Sequence, residues 1–475
     1  MLVDPEVSPP SRTHRMRKNG SATAGPIPTD GRPPGRTVRI WTGFLPALIL
    51  LASSCSRMPT ESASGRPVAR DTAIQAKAAL SGTVESAIVM PARTTDVDSL
   101  ARSFGSQVLD VVPELSLALL RTPPNTTTDA FVSRLGGDPR VVFSESNAMV
   151  ETAEAGQSTV AFCEAARSWS DVQDQTALAR VGAAQAQALA TGEGALVAIL
   201  DTGIDLDHPA LTAMLALPGY EAGVTTDAGD DRPESVDSNG DGIVDGSLGH
   251  GTHVAGIVHA MAPAARLLPV RVLDSDGVGE SFRIAQGIVA AVERGADVIN
   301  LSLGLPSDSR SIEAAVNFAR STGVVIVAAA GNRDASALDF PASYAPVLAV
   351  AGTDPDDRKA SFSDYGDAVD LAAPAVGILS TYWDGTFARW SGTSMASPFV
   401  AGTAALLYGR LGPPSASSAD FVERLILAGA HPLAAIDPVY GALLGAGRLS
   451  AAASLNHVQH AGDPGGPPRS RKLAH

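Results

Sequence analysis

Ser391-Gly392-Thr393-Ser394-Met395-Ala396-Ser397-Pro398 leads into an apolar run over 399–407, and the fold is read outward from this stretch. Thr and Ser before a run of small apolar residues signal a turn and an N-cap, so the pattern predicts a helix over 394–410. A hydroxyl placed there faces unpaired backbone N–H groups and the positive end of a helix dipole, a setting that suits developing negative charge. Taken alone, the segment reads equally well as an ordinary capped, buried helix. The upstream sequence separates the two readings.

Asp201 closes the apolar run 195–200 and is followed by Thr202-Gly203-Ile204-Asp205. That pattern predicts a buried parallel strand with a carboxylate at its C-terminal edge, where open α/β sheets place their sites. Gly249-His250-Gly251-Thr252-His253-Val254-Ala255-Gly256 puts an imidazole at the start of a helix that packs through small residues. The run 324–330 reads as another buried strand and ends in Gly331-Asn332. Each residue has a plain alternative: Asp201 as a turn former, His250 as a satisfied core histidine, Asn332 as a left-handed turn residue. Four such coincidences, each at an element boundary, would have to occur together.

On these blocks the chain resembles a subtilisin-like serine protease (subtilase, peptidase S8). The blocks are Asp-Thr-Gly at 201–203, His-Gly-Thr-His-Val-Ala-Gly at 250–256, Ala-Ala-Gly-Asn at 329–332 and Gly-Thr-Ser-Met-Ala-Ser-Pro at 392–398. Their order is Asp, His, Asn, Ser, the order of that family's own triad. The resemblance implies Ser394 as nucleophile, His250 as its base, Asp201 as the group that orients the imidazole, and Asn332 as an oxyanion donor. It implies a serine endopeptidase that hydrolyses peptide bonds through an acyl-enzyme, needs no cofactor for its chemistry and is made as a zymogen. The alternatives are a catalytically inactive subtilase fold used as a binding module, and an esterase sharing the acyl chemistry. His250 and His253 do not suit zinc, because a zincin helix carries Glu beside the first His and histidines at i, i+4. The Gly-x-Ser-x-Gly elbow of α/β-hydrolases is absent around Ser394.

Composition fits an enzyme with extra segments. At 475 residues and 45% hydrophobic content the chain can bury a large core. The net charge is −15, but residues 1–70 carry ten Arg/Lys against four acids, and the rest of the chain is more acidic still. Such a surface repels nucleic acid. The expected partners are polypeptide substrates and the chain's own propeptide, and the chain is expected to be a monomer.

Residues 1–55 read as a targeting segment, with Arg32, Arg36 and Arg39 before an apolar run at 40–52. The run is too short to span a bilayer but suits a signal peptide, so the expected location is secreted or cell-envelope. Leu51-Ala52-Ser53-Ser54-Cys55 resembles a lipobox that would lipidate Cys55, although Ala52 stands where that motif usually has Leu. A plain signal peptide is the alternative. Cys163, the only other cysteine, is expected as a small apolar side chain.

Residues 84–152 show a βαββαβ pattern, with a final strand expected over 141–150. This predicts a small ferredoxin-like α+β domain, similar to a subtilase propeptide of the inhibitor-I9 type, which implies a folding chaperone and inhibitor. Residues 170–457 alternate buried strands (195–200, 267–272, 297–301, 324–330, 347–351) with helices (178–189, 250–260, 281–294, 310–322). The fold class expected is therefore α/β, a parallel sheet covered by helices on both faces. Residues 458–475, rich in Gly, Pro and basic side chains, read as a disordered tail.

By resemblance, Ser302-Leu303-Gly304 pairs with substrate backbone and, with Ala329-Ala330-Gly331, flanks the pocket for the residue before the scissile bond. Those walls are small and uncharged, which predicts an apolar or aromatic preference, with the floor supplied from 338–345. For calcium the sequence departs from the family: Ala210 stands where many relatives carry an Asp ligand, and the usual ligand loop after the His helix is missing. Asp237-Ser238-Asn239-Gly240-Asp241-Gly242-Ile243-Val244-Asp245 instead matches the start of an EF-hand-like loop, with Asp237, Asn239, Asp241 and Asp245 as candidate ligands. Position 12 is Leu248 rather than Glu, so both a structural calcium site and a merely solvated acidic loop stay open.

Overall fold

The computed structural model describes residues 85–154, 162–164, 166–223, 229–412 and 418–458. The chain divides into residues 1–57 and 58–475, and every described residue belongs to the second unit. The targeting segment, Cys55 and the tail after 458 lie outside the described residues. Among the described residues no helix is long and apolar enough to cross a membrane.

The N-terminal module runs β1 (Ser86–Pro91), α1 (Val97–Ser103), β2 (Val108–Val112), β3 (Leu117–Arg121), α2 (Thr128–Gly136), β4 (Val141–Ser146). Its antiparallel sheet has the order β2-β3-β1-β4, the ferredoxin-like topology that the pattern predicts. Local chemistry sets the boundaries. Asp96 caps α1 by accepting from the Asp98 N–H, and Thr127 caps α2 by accepting from Ala130. Strand alternation divides the sheet between two partners. Ala87 and Val89 pack with Phe131 and Leu135 inside the module, whereas Ile88, Leu119 and Phe143 join the core of the large domain.

The expected final strand over 141–150 is corrected. It breaks at Asn147-Ala148, and β5 (Met149–Thr152) leaves the small sheet for the large domain. There it lies between β10 (Val278–Glu280) and β12 (Leu303–Gly304), antiparallel to both. The break is stabilised by side chains. Asn147 Oδ1 accepts from the Phe282 N–H and its Nδ2 donates to Glu280, while Ser281 Oγ accepts from the Ala148 N–H.

The large domain opens with β6 (Phe162–Cys163) and short helices α3 (Trp169–Gln173), α4 (Thr176–Val181) and α5 (Ala183–Gln187). The last two replace the single helix expected over 178–189, because Gly182 adopts φ +70° and ends one helix while starting the next. A seven-stranded parallel sheet follows. Its members are β7 (Leu196–Asp201), β8 (Tyr220–Glu221), β9 (Arg266–Arg271), β11 (Val298–Leu301), β13 (Val325–Ala329), β14 (Val347–Thr353) and β15 (Leu371–Pro374), in the order β15-β14-β13-β11-β7-β9-β8.

Both faces of this sheet are covered, for a reason visible in single strands. Val197 and Ile199 of β7 enter one core with α6 (His250–Met261) and α9 (Thr393–Leu411). Ala198 and Leu200 enter the other with α7 (Ser281–Glu293) and α8 (Arg310–Ser321). A hairpin, β16 (Ile378–Tyr382) and β17 (Thr386–Trp390), and helices α10 (Ser418–Gly429) and α11 (Ala451–His457) complete the domain. Cys163 lies in β6, with its Sγ 4.0 Å from Thr386 Oγ1.

The small module seats on the N-termini of two helices. Glu145 accepts from Arg310 N (2.8 Å), Ser311 N (3.1 Å) and Ser309 Oγ (3.0 Å), capping α8 from outside its own domain. Asn147 does the same for α7 through Phe282 N. A carboxylate at a helix N-terminus also meets the positive end of the dipole. Arg310 stacks over the Phe143 ring at 4.3 Å, and Arg283 pairs with Asp110 at 2.8 Å.

Candidate active site

Asp201 ends β7, His250 opens α6, Asn332 follows β13 and Ser394 is the second residue of α9. Parallel strands β7 and β13 run in the same sense, so their C-terminal ends deliver Asp201 and Asn332 to one edge of the sheet. All four residues are nearly or wholly buried: Asp201, His250 and Ser394 are 0% exposed and Asn332 3%.

His250 Nδ1 donates to Asp201 Oδ1 at 2.6 Å, and the Thr202 N–H donates to the same oxygen at 2.8 Å. Two residues outside the sequence motifs hold this helix in place. Asp231, buried, accepts from Gly249 N (3.3 Å), Thr252 N (3.4 Å) and Thr252 Oγ1 (2.7 Å), so it caps α6 just ahead of His250. Burial raises the Asp231 carboxyl to about 7, with Asp201 adding to the rise against the hydrogen bonds and Arg271. Trp390 meets both histidines edge-on, at 5.1 Å from His250 and 5.8 Å from His253. His253 sits behind the site with Nε2 on the carbonyls of Ile378 and Ala388, both at 3.1 Å. Burial and the neighbouring His250 lower it to about 3, so it is neutral.

Asn332 has its amide oriented by a neighbour. Thr393 N donates to Asn332 Oδ1 at 2.9 Å, which turns Nδ2 toward the Ser394 backbone N–H. Ser394 is anchored through an unusual helix start. Pro398 lacks the N–H that would bond the Ser394 carbonyl four residues back, and Ser302 Oγ takes that carbonyl at 3.0 Å. Asn300 Nδ2 in turn donates to Ser302 Oγ at 2.9 Å.

All these groups converge on a residue that the sequence did not single out. Glu154, two residues beyond β5 and 5% exposed, places its side-chain carboxylate among them. Oε1 accepts from Asn332 Nδ2 (3.1 Å) and Ser394 N (3.3 Å). Oε2 accepts from Ser394 Oγ (2.6 Å) and His250 Nε2 (3.1 Å). Burial alone would lower the imidazole, but Asp201 and Glu154 on its two nitrogens raise it to about 10. The histidine is therefore an imidazolium held between two carboxylates. Glu154 carried only the weak signal of an acid in the low-specificity stretch after 150.

The expected substrate wall is lined by this same segment. Thr152 pairs with Leu303 and Glu151 with Gly304, and the Thr152 N–H donates to the Gly277 carbonyl at 2.9 Å. Ser302 is buried, and Ser394 Oγ lies 3.2 Å from its carbonyl. Ala329 and Ala330 are buried, and the Gly331 N–H donates to Thr393 Oγ1 at 3.2 Å. The segment 338–345, expected to supply the pocket floor, brings in Asp339, which is 9% exposed and pairs with Arg333.

The candidate calcium ligands are not gathered into a site. Among the described residues, no group of three or more His, Cys, Asp or Glu is arranged to hold a metal. Asp245 spends both oxygens on Glu234 N, Ser235 N, Val236 N and Ser275 Oγ. Asp237, Asn239 and Asp241 accept from Gly242 N, Asp241 N and Ile243 N within the loop. These bonds engage one oxygen each of Asp237, Asn239 and Asp241 in turns of the loop.

A model described as the subtilase family matches residues 192–445, more than half of the chain, and one described as the fervidolysin N-terminal prodomain matches 81–147. Subtilisin BL of Lederbergia lenta is 45% identical over 226 residues, covering 46% of this chain and 77% of that protein. Thermitase of Thermoactinomyces vulgaris is 44% identical over 238 residues, 48% of this chain and 80% of that protein. The crystal structure of fervidolysin from Fervidobacterium pennivorans superposes with a TM-score of 0.65 at 24% identity. The match covers 82% of this chain and 62% of that one, and supports the shared fold alone.

Proposed function

The chain belongs to the subtilase family and is a serine-type endopeptidase with an N-terminal prodomain; on that premise we propose that it is an exported zymogen whose nucleophile is Ser394. Ser394 Oγ attacks the substrate carbonyl while His250 Nε2 takes its proton, and Asp201 keeps the Nδ1 proton in place. The oxyanion lies between Asn332 Nδ2 and the Ser394 N–H. His250 then delivers the proton to the leaving amine, and water releases the acyl group by the reverse sequence.

One observation carries this reading: a single carboxylate, that of Glu154, touches the hydroxyl, the imidazole and both oxyanion donors at once. Its two oxygens occupy the places that a carbonyl oxygen and an attacking or departing group would need. The reading assigns no metal to the chemistry and no ligand role to Asp237, Asn239, Asp241 or Asp245. Polypeptides are the substrates, the prodomain is the intramolecular partner, and the acidic body disfavours nucleic acid. We place the enzyme outside the cytoplasm on the strength of the apolar run at 40–52. Casein turnover by the matured protein, beside Ser394→Ala and His250→Ala, tests the assignment. Equal turnover by wild type and Ser394→Ala would refute it.

A further inference from the structure

Asn332 stands in a loop that a distant segment holds almost residue by residue. The Gly331 carbonyl accepts from Asp364 N at 2.9 Å, and Arg333 N and Ala335 N both donate to Asp364 Oδ1, at 2.9 and 2.8 Å. Asp334 N donates to the Phe362 carbonyl at 2.8 Å, and Tyr365 N donates to the Ala335 carbonyl at 2.9 Å. Asp364 is wholly buried. The place of Asn332 therefore depends on the shape of 360–365.

That shape is set by a buried ammonium. The Lys359 side chain is 4% exposed, and its Nζ donates to the carbonyls of Ala360 (3.0 Å), Ser361 (3.4 Å) and Ser363 (3.1 Å) and to Asp334 Oδ1 (2.6 Å). Three protons shared among four oxygens leave the group fully engaged. The rings of Tyr365 and Tyr440 lie 5.2 and 4.9 Å from it. Carbonyls and a carboxylate around one positive charge make the surroundings of a bound cation, and here the cation is tethered to the chain. Asp334 meets it in a left-handed conformation, φ +53°, which costs a non-glycine residue. Its bonds to Lys359 and Phe362 offset that cost, and both come from the second segment. The Asp334 side chain is 56% exposed, so the ion pair alone is worth little. The buried end decides: without the ammonium, the carbonyls of 360–363 lose a charged donor inside the protein.

We propose that Lys359, acting through Asp334 and the turn at 360–364, is a positioning residue for the oxyanion donor Asn332. This rests on the reading of Asn332 as that donor. The amide must meet an oxygen whose charge develops only in the transition state, so moving the loop weakens kcat and spares ground-state binding. Thr393 N separately fixes which way the amide turns, through Asn332 Oδ1. Lys359 governs where the amide stands.

The test is a double-mutant cycle on the matured enzyme, with active sites counted by fluorophosphonate labelling and kcat and KM measured on one peptide. Misplacement by about 1 Å costs on the order of 10²-fold and full removal of the donor about 10²–10³, so a smaller shift should cost less. Lys359→Met is expected to lower kcat about tenfold with KM changed by less than about twofold. Asp334→Gly leaves the buried end intact and keeps the left-handed backbone, so it should lower kcat by only about threefold. Asp334→Asn, which retains an acceptor, should recover most of that loss. In an Asn332→Ala background each substitution should lower kcat by less than about twofold, because an absent donor cannot be misplaced. Losses of equal size in both backgrounds would overturn the proposal and leave Lys359 a structural residue only. So would a kcat within about twofold of wild type in both Lys359→Met and Asp334→Gly. A Lys359→Met protein that does not fold leaves the same decision to Asp334→Gly. Undiminished kcat in Asn332→Ala alone would overturn the oxyanion reading itself, a separate outcome that is read without touching Lys359.

Discussion

Glu154→Ala in the full-length precursor probes how the site is held closed. The wild-type carboxylate accepts four hydrogen bonds, from Ser394 Oγ, Ser394 N, Asn332 Nδ2 and His250 Nε2, and is 5% exposed. Removing one partner of a buried charge pair costs about 3–5 kcal/mol, and each 1.4 kcal/mol is roughly tenfold. β5 keeps its pairing with β10 and β12 in the variant, so only the side-chain contribution is lost. The lower end of the range, about 10²-fold, is therefore the expected gain in accessibility of Ser394. The assay is the rate of fluorophosphonate labelling of the precursor band on a gel. Glu154→Gln, which keeps an acceptor but loses the charge, should fall between wild type and Glu154→Ala. Labelling of Glu154→Ala within twofold of wild type would refute the idea that this carboxylate occupies the oxyanion site.

His250 supplies a pH dependence. Its value in the precursor is raised to about 10 from an ordinary 6.5, so its contribution to stability is complete below about pH 6.5 and is lost as pH rises through 10. Melting temperatures of a Ser394→Ala precursor should fall across that window, and the fall should begin at lower pH when Glu154 is also replaced by Ala. Asn332→Ala should lower kcat by about 10²–10³ with little change in KM, a magnitude that comes from subtilisin itself rather than from this geometry. Glu145→Ala removes a cap from α8, worth about 1–2 kcal/mol, and should speed release of the cleaved prodomain by about tenfold, measured as recovery of peptidase activity.

The legible part of this protein is the part written in local patterns. Buried strands ending in Asp201 and Ala329 are continuous apolar runs, and His250 and Ser394 sit at capped or small-residue helix starts, so each position follows from neighbours in sequence. The ferredoxin-like module was readable for the same reason, through its βαββαβ pattern over 84–152. What escaped reading depends on contacts between distant segments. Glu154 matters because it lies 240 residues from Ser394 in sequence and 2.6 Å from it in space. Asp339 looks like a surface acid until backbone hydrogen bonds between Leu305 and Phe340 bury it against Gly304 and Gly331. The break after Ser146 was invisible because Met149–Thr152 has good strand character; only its partner changes, from β1 to β10 and β12. In the acidic loop at 237–245, one oxygen each of Asp237, Asn239 and Asp241 accepts from a backbone N–H of the loop, contacts that the residue types alone do not specify.

The central claim is that Ser394 is the activated nucleophile of the matured enzyme. Its most direct test is peptide mapping by mass spectrometry after fluorophosphonate treatment. The account predicts one adduct, on the peptide containing Ser394, with labelling lost in His250→Ala. An adduct at another serine, or no adduct on an enzyme that still cleaves casein, would contradict it.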